Sequence, residues 1–184
     1  FKKPSVNWSY LSEPEPQLNG RQIFTPRGKV LGGSSSINGL VYTRGQPEDF
    51  DGWETPGWSF GELLPYFKKS EDQVGDERLR ADPLHGKGGP LAVSDQNEPH
   101  ELCDAFIEAA VQAGHPRNPD FNGEHQEGAG YQQLTARNGR RCSTATGYLK
   151  PAEHRENLTV LTDALALKIS FDGKKANGIE YEQK

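Results

Sequence analysis

The chain has 184 residues, 26% of them charged, and a formal net charge of −5, enough for one domain or for part of a larger one. Its Lys and Arg residues are scattered rather than clustered, which excludes the basic stripe that nucleic-acid binding needs. No apolar run approaches 18 residues and no signal peptide is visible, so no segment reads as a membrane span or a secretory leader.

The first 27 residues read as irregular and polar, because Pro4, Pro14, Pro16 and Pro26 break helices and deny strand donors. A glycine- and serine-rich turn covers residues 28–36, and residues 37–42 read as a short buried helix. Ser59 with Glu62 three positions on forms a capping box for a helix over 60–69, with Pro65 as a point of kinking or interruption. Residues 70–87 turn charged and read as a surface excursion, and Leu91 to Val93 as a short strand. The clearest helix spans 98–113, with an apolar face of Leu102, Ala105, Phe106, Ala109, Ala110 and Ala113, ended by Gly114 and Pro116. Residues 118–130 read as loop, with a turn at Asn122-Gly123, and 143–149 as a short helix capped by Ser143. Strands at 158–161, 164–171 and about 176–181, the last two joined by Asp172-Gly173, predict a three-stranded antiparallel meander.

At 33% hydrophobic residues and a mean hydropathy of −0.83, a stand-alone core is expected to be thin and to lean on surfaces from elsewhere. Cys103 and Cys142 are too far apart for a C-x-x-C pattern, which makes a reducing, cytoplasmic setting the default, with peripheral membrane association left open. Asn7 and Asn157 begin glycosylation sequons, a three-residue match common by chance. The chain starts at Phe1 and holds no Met, so it reads either as a piece of a longer protein or as a sequence from which methionines were dropped.

The glycine turn is the segment with chemical content. Gly32 and Gly33, followed by three serines, suit a loop whose backbone approaches an anion without a Cβ in the way. A structural tight turn is the competing reading. A P-loop is excluded, since Ser34 stands where its Lys belongs. Gly86-Lys87-Gly88 and Gly128-Ala129-Gly130 both fail the dinucleotide fingerprint at its last glycine, and neither a G-x-S-x-G elbow nor an H-E-x-x-H motif occurs. The five histidines, His85, His100, His115, His125 and His154, show no triad or metal spacing and read as solvated or capping residues. Arg140-Arg141 reads as a structural ion-pairing site, and Trp53, Trp58, Tyr66 and Phe67 as core or as a lid.

The string Pro26-Arg27-Gly28-Lys29-Val30-Leu31-Gly32-Gly33-Ser34-Ser35-Ser36-Ile37-Asn38-Gly39-Leu40-Val41-Tyr42-Thr43-Arg44-Gly45 closely resembles the first sequence signature of the glucose-methanol-choline (GMC) flavoprotein oxidoreductases. Phe50-Asp51-Gly52-Trp53, Pro56-Gly57-Trp58-Ser59, the run from Leu64 to Glu71, His85-Gly86, Gly88-Gly89-Pro90-Leu91, Asp120-Phe121-Asn122-Gly123, Gly139-Arg140-Arg141-Cys142-Ser143 and Asn157-Leu158-Thr159-Val160 continue the resemblance in order. The Gly-Gly-Ser-Ser-Ser-Ile-Asn-Gly wording is most similar to the choline dehydrogenase and bacterial alcohol dehydrogenase branch.

The resemblance implies an α+β fragment of an α/β FAD-binding fold. The first βαβ unit would lie before Phe1 and the catalytic His after Lys184, so this chain would carry no catalytic residue and no metal. It would have three parts: 1–58 a flavin-contacting segment and lid, 59–97 a peripheral helix and surface excursion, 98–184 the helix, loop and meander. Gly32, Gly33 and Ser34 would lie along the FAD pyrophosphate and ribityl chain. Asn38, Gly39, Leu40 and Val41 would sit beside the isoalloxazine ring, and Ala166 would offer its backbone to adenine. Ile37 stands where some members have a His that attaches FAD, which implies a non-covalent cofactor. The implied reaction is oxidation of an alcohol such as choline or a related primary alcohol by hydride transfer to flavin N5, with the electron acceptor unread. Alternatives are a lyase of the hydroxynitrile type or a non-catalytic relative, and the piece is expected to need the rest of its parent to fold.

Overall fold

The computed structural model describes residues 3–183; the outermost positions of the first and last expected segments, 1–2 and 184, lie outside the described residues. The chain divides into two compact units, Phe1–Pro151 and Ala152–Lys184.

The first unit begins with a narrow ribbon instead of an irregular tail. Strands β1 (Tyr10–Leu11) and β2 (Phe24–Thr25) pair antiparallel. The buried Asn7 closes the ribbon, its Oδ1 accepting from the backbone N–H of Ser9 and of Arg27, both at 2.9 Å. The same burial removes its side chain from the surface that a glycosylation site requires.

After the glycine turn the chain forms one 3-10 turn, Gly33–Ser36, and then strand β3 (Val41–Tyr42). The short buried helix expected over 37–42 does not form. Leu40 sits at φ 70°, in the left-handed region, which no right-handed helix can include. Helix α1 (Pro47–Asp51) follows, its Asp49 carboxylate accepting from the Gln46 N–H at 3.0 Å.

Helix α2 (Phe60–Ser70) starts with the expected capping box: Ser59 Oγ accepts from Glu62 N, and the Glu62 carboxylate accepts from Ser59 N. The helix runs on through Pro65 without interruption. It leads into β4 (Glu71–Gln73), which pairs in parallel with β5 (Leu91–Val93). Here the expected surface excursion is corrected. Glu71 is 0% and Gln73 1% exposed, because β4 pairs with β5 and is covered on its other side by the buried His85 and Gly86, and the exposed positions lie around α3 (Glu77–Ala81) and at Pro83 and Lys87.

Helix α4 (Glu101–Gln112) is capped by His100, whose Nδ1 accepts from Leu102 N at 3.1 Å. It ends in a Schellman motif, with His115 N bonded to Ala110 O and Gly114 N to Val111 O, each at 3.0 Å. Its docked stripe differs from the apolar face read from spacing. Ile107 is 3% exposed, whereas Leu102 and Phe106 are 69% and 71% exposed. Two exposed polar contacts at i, i+4 spacing lie on the same side as Ile107: Tyr131 Oη donates to Asp104 at 2.7 Å, and Arg117 pairs with Glu108. Asp104, Ile107 and Glu108 share one side, and that side meets the chain.

Strand β6 (Gln133–Leu134) pairs antiparallel with β3, and β7 (Ala136–Arg137) with β8 (Arg140–Arg141). Ser143 caps the next turn, its Oγ accepting from Thr146 N at 3.3 Å; that turn, Ala145–Leu149, is a π-helix. Among the described residues the buried side chains are mostly polar: five apolar residues (Phe60, Ala92, Val93, Ile107, Ala136) against nine polar or charged ones. This is the thin core that the composition implies.

The second unit holds one long hairpin, β9 (Ala164–Asp172) with β10 (Lys175–Gln183), turning at Gly173-Lys174, one residue beyond the expected Asp172-Gly173. The third strand of the expected meander is absent: residues 158–161 are not paired into a ladder among the described residues. An extended segment becomes a strand only where a second backbone accepts its ladder bonds. No helix of the described residues is long and apolar enough to cross a membrane.

Replacing Ser59 with Ala removes the acceptor for the Glu62 N–H and is expected to lower stability by about 1 kcal/mol, read as a shift of the urea midpoint with an unchanged slope.

Candidate functional site

The glycine turn is built from its backbone outward. Gly32 (φ 83°) and Gly33 (φ 55°) are both left-handed, a conformation open to glycine at no steric cost. A Cβ on Gly32 would also lie 2.5 Å from Ser36 Oγ and 3.0 Å from Ala145 Cβ. Around Gly33 and Gly39 a Cβ would meet nothing within 4 Å, so both present bare backbone to open space. The Gly33 N–H is already spent on Val30 O at 2.8 Å, so Gly33 offers room and not a donor. Ser34 Oγ accepts from Gly28 N at 3.1 Å, and its hydroxyl proton has no acceptor among the described residues.

The turn is clasped from the far end of the unit. Thr144 Oγ1 donates to Gly32 O at 3.1 Å, and Thr144 N donates to Ser35 Oγ at 2.9 Å. Arg141, expected to form an ion pair, instead grips neutral oxygens: Nη1 donates to Asn38 Oδ1 at 2.6 Å and to Ser35 O at 3.0 Å, and Nη2 donates to Asn38 O at 2.8 Å.

Asn38 Oδ1 also accepts from Leu40 N at 3.1 Å. Two donors on the oxygen leave one orientation for the amide, with Nδ2 unpartnered among the described residues and the side chain exposed. The Gly39 N–H is likewise unpaired among the described residues. Leu40 is held by its carbonyl, which accepts from Thr135 N at 2.8 Å and Thr135 Oγ1 at 3.1 Å, and Val41 is exposed in β3. The segment thus carries outward donors beside bare glycine backbone, a surface suited to the acceptor-rich edge and phosphates of a nucleotide cofactor. Ala166 belongs to the second unit, in β9 opposite Tyr181.

A second constellation was not visible in the spacing. His85, expected to be solvated or capping, is 3% exposed and bonded on both nitrogens, Nδ1 to Glu71 Oε1 at 2.7 Å and Nε2 to Asp120 Oδ2 at 2.9 Å. Glu71 Oε2 also accepts from Gly86 N at 3.1 Å and lies 3.9 Å from Arg44 Nη1. Arg44 donates to Leu84 O at 3.0 Å and to Asn122 O, and the Asn122 side chain accepts from Arg44 N at 2.7 Å and donates to Gln133 Oε1 at 2.9 Å.

Burial alone pushes the His85 pKa down; the hydrogen bonds and charges of Asp120 and Glu71 outweigh it and raise it to about 9. Burial pushes Asp120 up, but the His85 and Asn122 hydrogen bonds with the His85 and Arg44 charges leave it below the ordinary value. His85 is therefore an imidazolium with no lone pair to give, unsuited to act as a base. Its partners lie 14 and 35 residues away in sequence; the only signal was their place inside separate landmark motifs. No group of His, Cys, Asp and Glu that could hold a metal occurs among the described residues.

Residues 6–184 match the family described as GMC oxidoreductase, and the chain belongs to that family. Over 180 residues it is 48% identical to a protein named oxygen-dependent choline dehydrogenase from Sinorhizobium fredii, covering 96% of this chain and 32% of that one. A counterpart from Brucella ovis is 48% identical over 181 residues, 97% of this chain and 32% of its own length. Among solved structures, pyridoxine 4-oxidase from Mesorbium loti superposes with a TM-score of 0.88 at 34% identity, over 98% of this chain and 36% of that chain. An FAD-dependent oxidoreductase from Chaetomium thermophilum gives 0.86 at 30% identity, over 97% and 33%. The chain spans about a third of the length of these relatives.

The charged His85 gives a signed pH dependence. Its folded pKa of about 9 exceeds the unfolded value of about 6.5. Its stabilisation, on the order of 3 kcal/mol, is full below about pH 6.5 and is lost as pH rises through about 9. Asp120 works oppositely, its share disappearing only as acid titrates it below its ordinary range. Urea unfolding between about pH 6 and pH 10 is expected to show this decline, and His85→Gln is expected to remove the slope while lowering stability throughout.

Proposed function

We propose that the full-length protein is an FAD-dependent oxidoreductase acting on the CH–OH group of an alcohol, choline or a related primary alcohol, and that this chain is its flavin-contacting central part. The observation that carries the proposal is the run of outward donors at Ser34, Asn38 and Gly39 beside bare glycine backbone. It is supported by 48% identity to proteins named choline dehydrogenase over 96% of the chain.

In this reading residues 1–58 contact the flavin and supply its lid, 59–97 flank them, and 98–184 contribute the clasp and the hairpin. Gly32, Gly33 and Ser34 receive the pyrophosphate and ribityl chain; the glycines keep side chains out of the path, and the Ser34 hydroxyl donates. Asn38 and Gly39 donate to the edge of the isoalloxazine ring, and Leu40 and Val41 line it with apolar surface. Ala166 offers its backbone to adenine. Bound FAD supplies the hydride acceptor, flavin N5. Donors at the ring edge favour the negative charge that follows reduction.

The alcohol proton needs a base, and this chain is proposed to supply none, since its one buried imidazole is already protonated and paired. Ile37 carries no nucleophile, which supports non-covalent FAD. The two cysteines are free, which supports a reducing, cytoplasmic setting.

The test is made on the full-length protein. It is expected to purify yellow, to release its flavin into the supernatant on acid precipitation, and to bleach anaerobically on addition of choline or another primary alcohol. A colourless protein would sink the flavoenzyme reading. Retained flavin that no alcohol bleaches would favour the non-redox alternative, and flavin left in the pellet would refute the non-covalent assignment. Asn38→Ala is expected to weaken FAD retention by about tenfold, the loss of one good hydrogen bond, as measured by flavin released on dilution.

A further inference from the structure

Arg141 lies outside the glycine-turn segment, yet it makes three hydrogen bonds to it, and one of them decides which arm of the Asn38 amide points outward. A primary amide is nearly symmetric in shape, and its flip is set only by its hydrogen-bond partners. Leu40 N alone would favour Oδ1 inward with one neutral bond at 3.1 Å. The charged Nη1 of Arg141 adds a 2.6 Å bond to the same oxygen, and charge-assisted bonds are about twice as strong as neutral ones. An Nδ2 in that place would set donor against donor. The other guanidinium bonds, to Ser35 O at 3.0 Å and Asn38 O at 2.8 Å, hold the backbone beneath. Being a planar fork, the guanidinium reaches all three acceptors at once, which a lysine cannot do.

We infer that Arg141 is a positioning residue: it locks the Asn38 amide with Nδ2 presented as a donor toward the flavin. The inference rests on the reading that this segment faces FAD. Arg141 acts on the amide through its Nη1 bond to Asn38 Oδ1, so that part of its influence on the flavin disappears when the Asn38 side chain is removed, while its two backbone bonds remain.

A double-mutant cycle on the full-length holoprotein tests this, with Asn38→Ala, Arg141→Gln and the pair together. The readouts are the flavin reduction potential, the visible absorption bands and the FAD dissociation constant. Arg141→Gln is expected to weaken FAD binding by about tenfold and to shift the bands and potential in the same direction as Asn38→Ala. The double variant is expected to fall clearly short of the sum of the two single effects, the Arg141 change costing less where Asn38 is already Ala, since coupled residues fail to add. Arg141→Lys, which keeps the charge but loses the fork, is expected to fall between wild type and Arg141→Gln, and it serves in the cycle where Arg141→Gln does not fold. Equal effects of the Arg141 change with and without Asn38 would overturn the inference and leave the FAD reading standing. A wild-type protein that retains no FAD would overturn both.

Discussion

The first unit is organised around a buried ionic knot. One imidazolium between two carboxylates, with a guanidinium alongside, ties together the end of helix α2 and strand β4 through Glu71, the following loop through His85, the 118–123 loop through Asp120 and Asn122, and the strand leaving the glycine turn through Arg44. The four charges balance, so the knot is burial-compatible as a set. Removing any one strands the others in a low dielectric, which costs far more than the knot's net contribution. With few fully buried apolar side chains, this part of the protein draws its shape from direction-specific polar contacts more than from packing volume.

The knot and the candidate site meet in one stretch of chain. Between Asn38 and Arg44 the backbone is anchored at both ends, by Arg141 on the glycine-turn side and by Asn122 on the other, and β3 between them is zipped to β6. A span of a few residues held at both ends has little freedom to shift. That is the condition for placing hydrogen-bond donors to the fraction of an ångström that tuning a bound redox group requires. The distant location of His85 in sequence and its full pairing suit it to stiffening the frame, and not to proton transfer.

Local signals were legible where local physics decides. The Ser59–Glu62 capping box and the Gly114 stop of α4 each depend on a few adjacent residues and formed as read, and the hairpin turn formed one residue beyond the expected pair, at Gly173-Lys174. The glycine turn was legible as a backbone device, though Gly33 proved to be space and not a donor. What spacing could not reveal were decisions made across the fold. Helix α4 turns Ile107 inward and leaves Leu102 and Phe106 exposed, because the surface it meets is set by the distant 117–131 stretch. Glu71 reads as one more surface charge until His85, 14 residues later, is seen to meet it. Residues 158–161 have strand composition, yet composition cannot supply the second backbone that a ladder needs.

Leu40 carries a further implication. A branched side chain at φ 70° is disfavoured by about 1–2 kcal/mol, and the paired bonds from Thr135 to its carbonyl hold it there. The kink is thus enforced from its main chain, by a residue 95 positions away, and owes nothing to the leucine side chain. Form and surface are separable at this position. A change confined to the side chain at 40 therefore alters the apolar surface offered to the neighbouring space, while the Thr135 bonds to the main chain keep the bend itself.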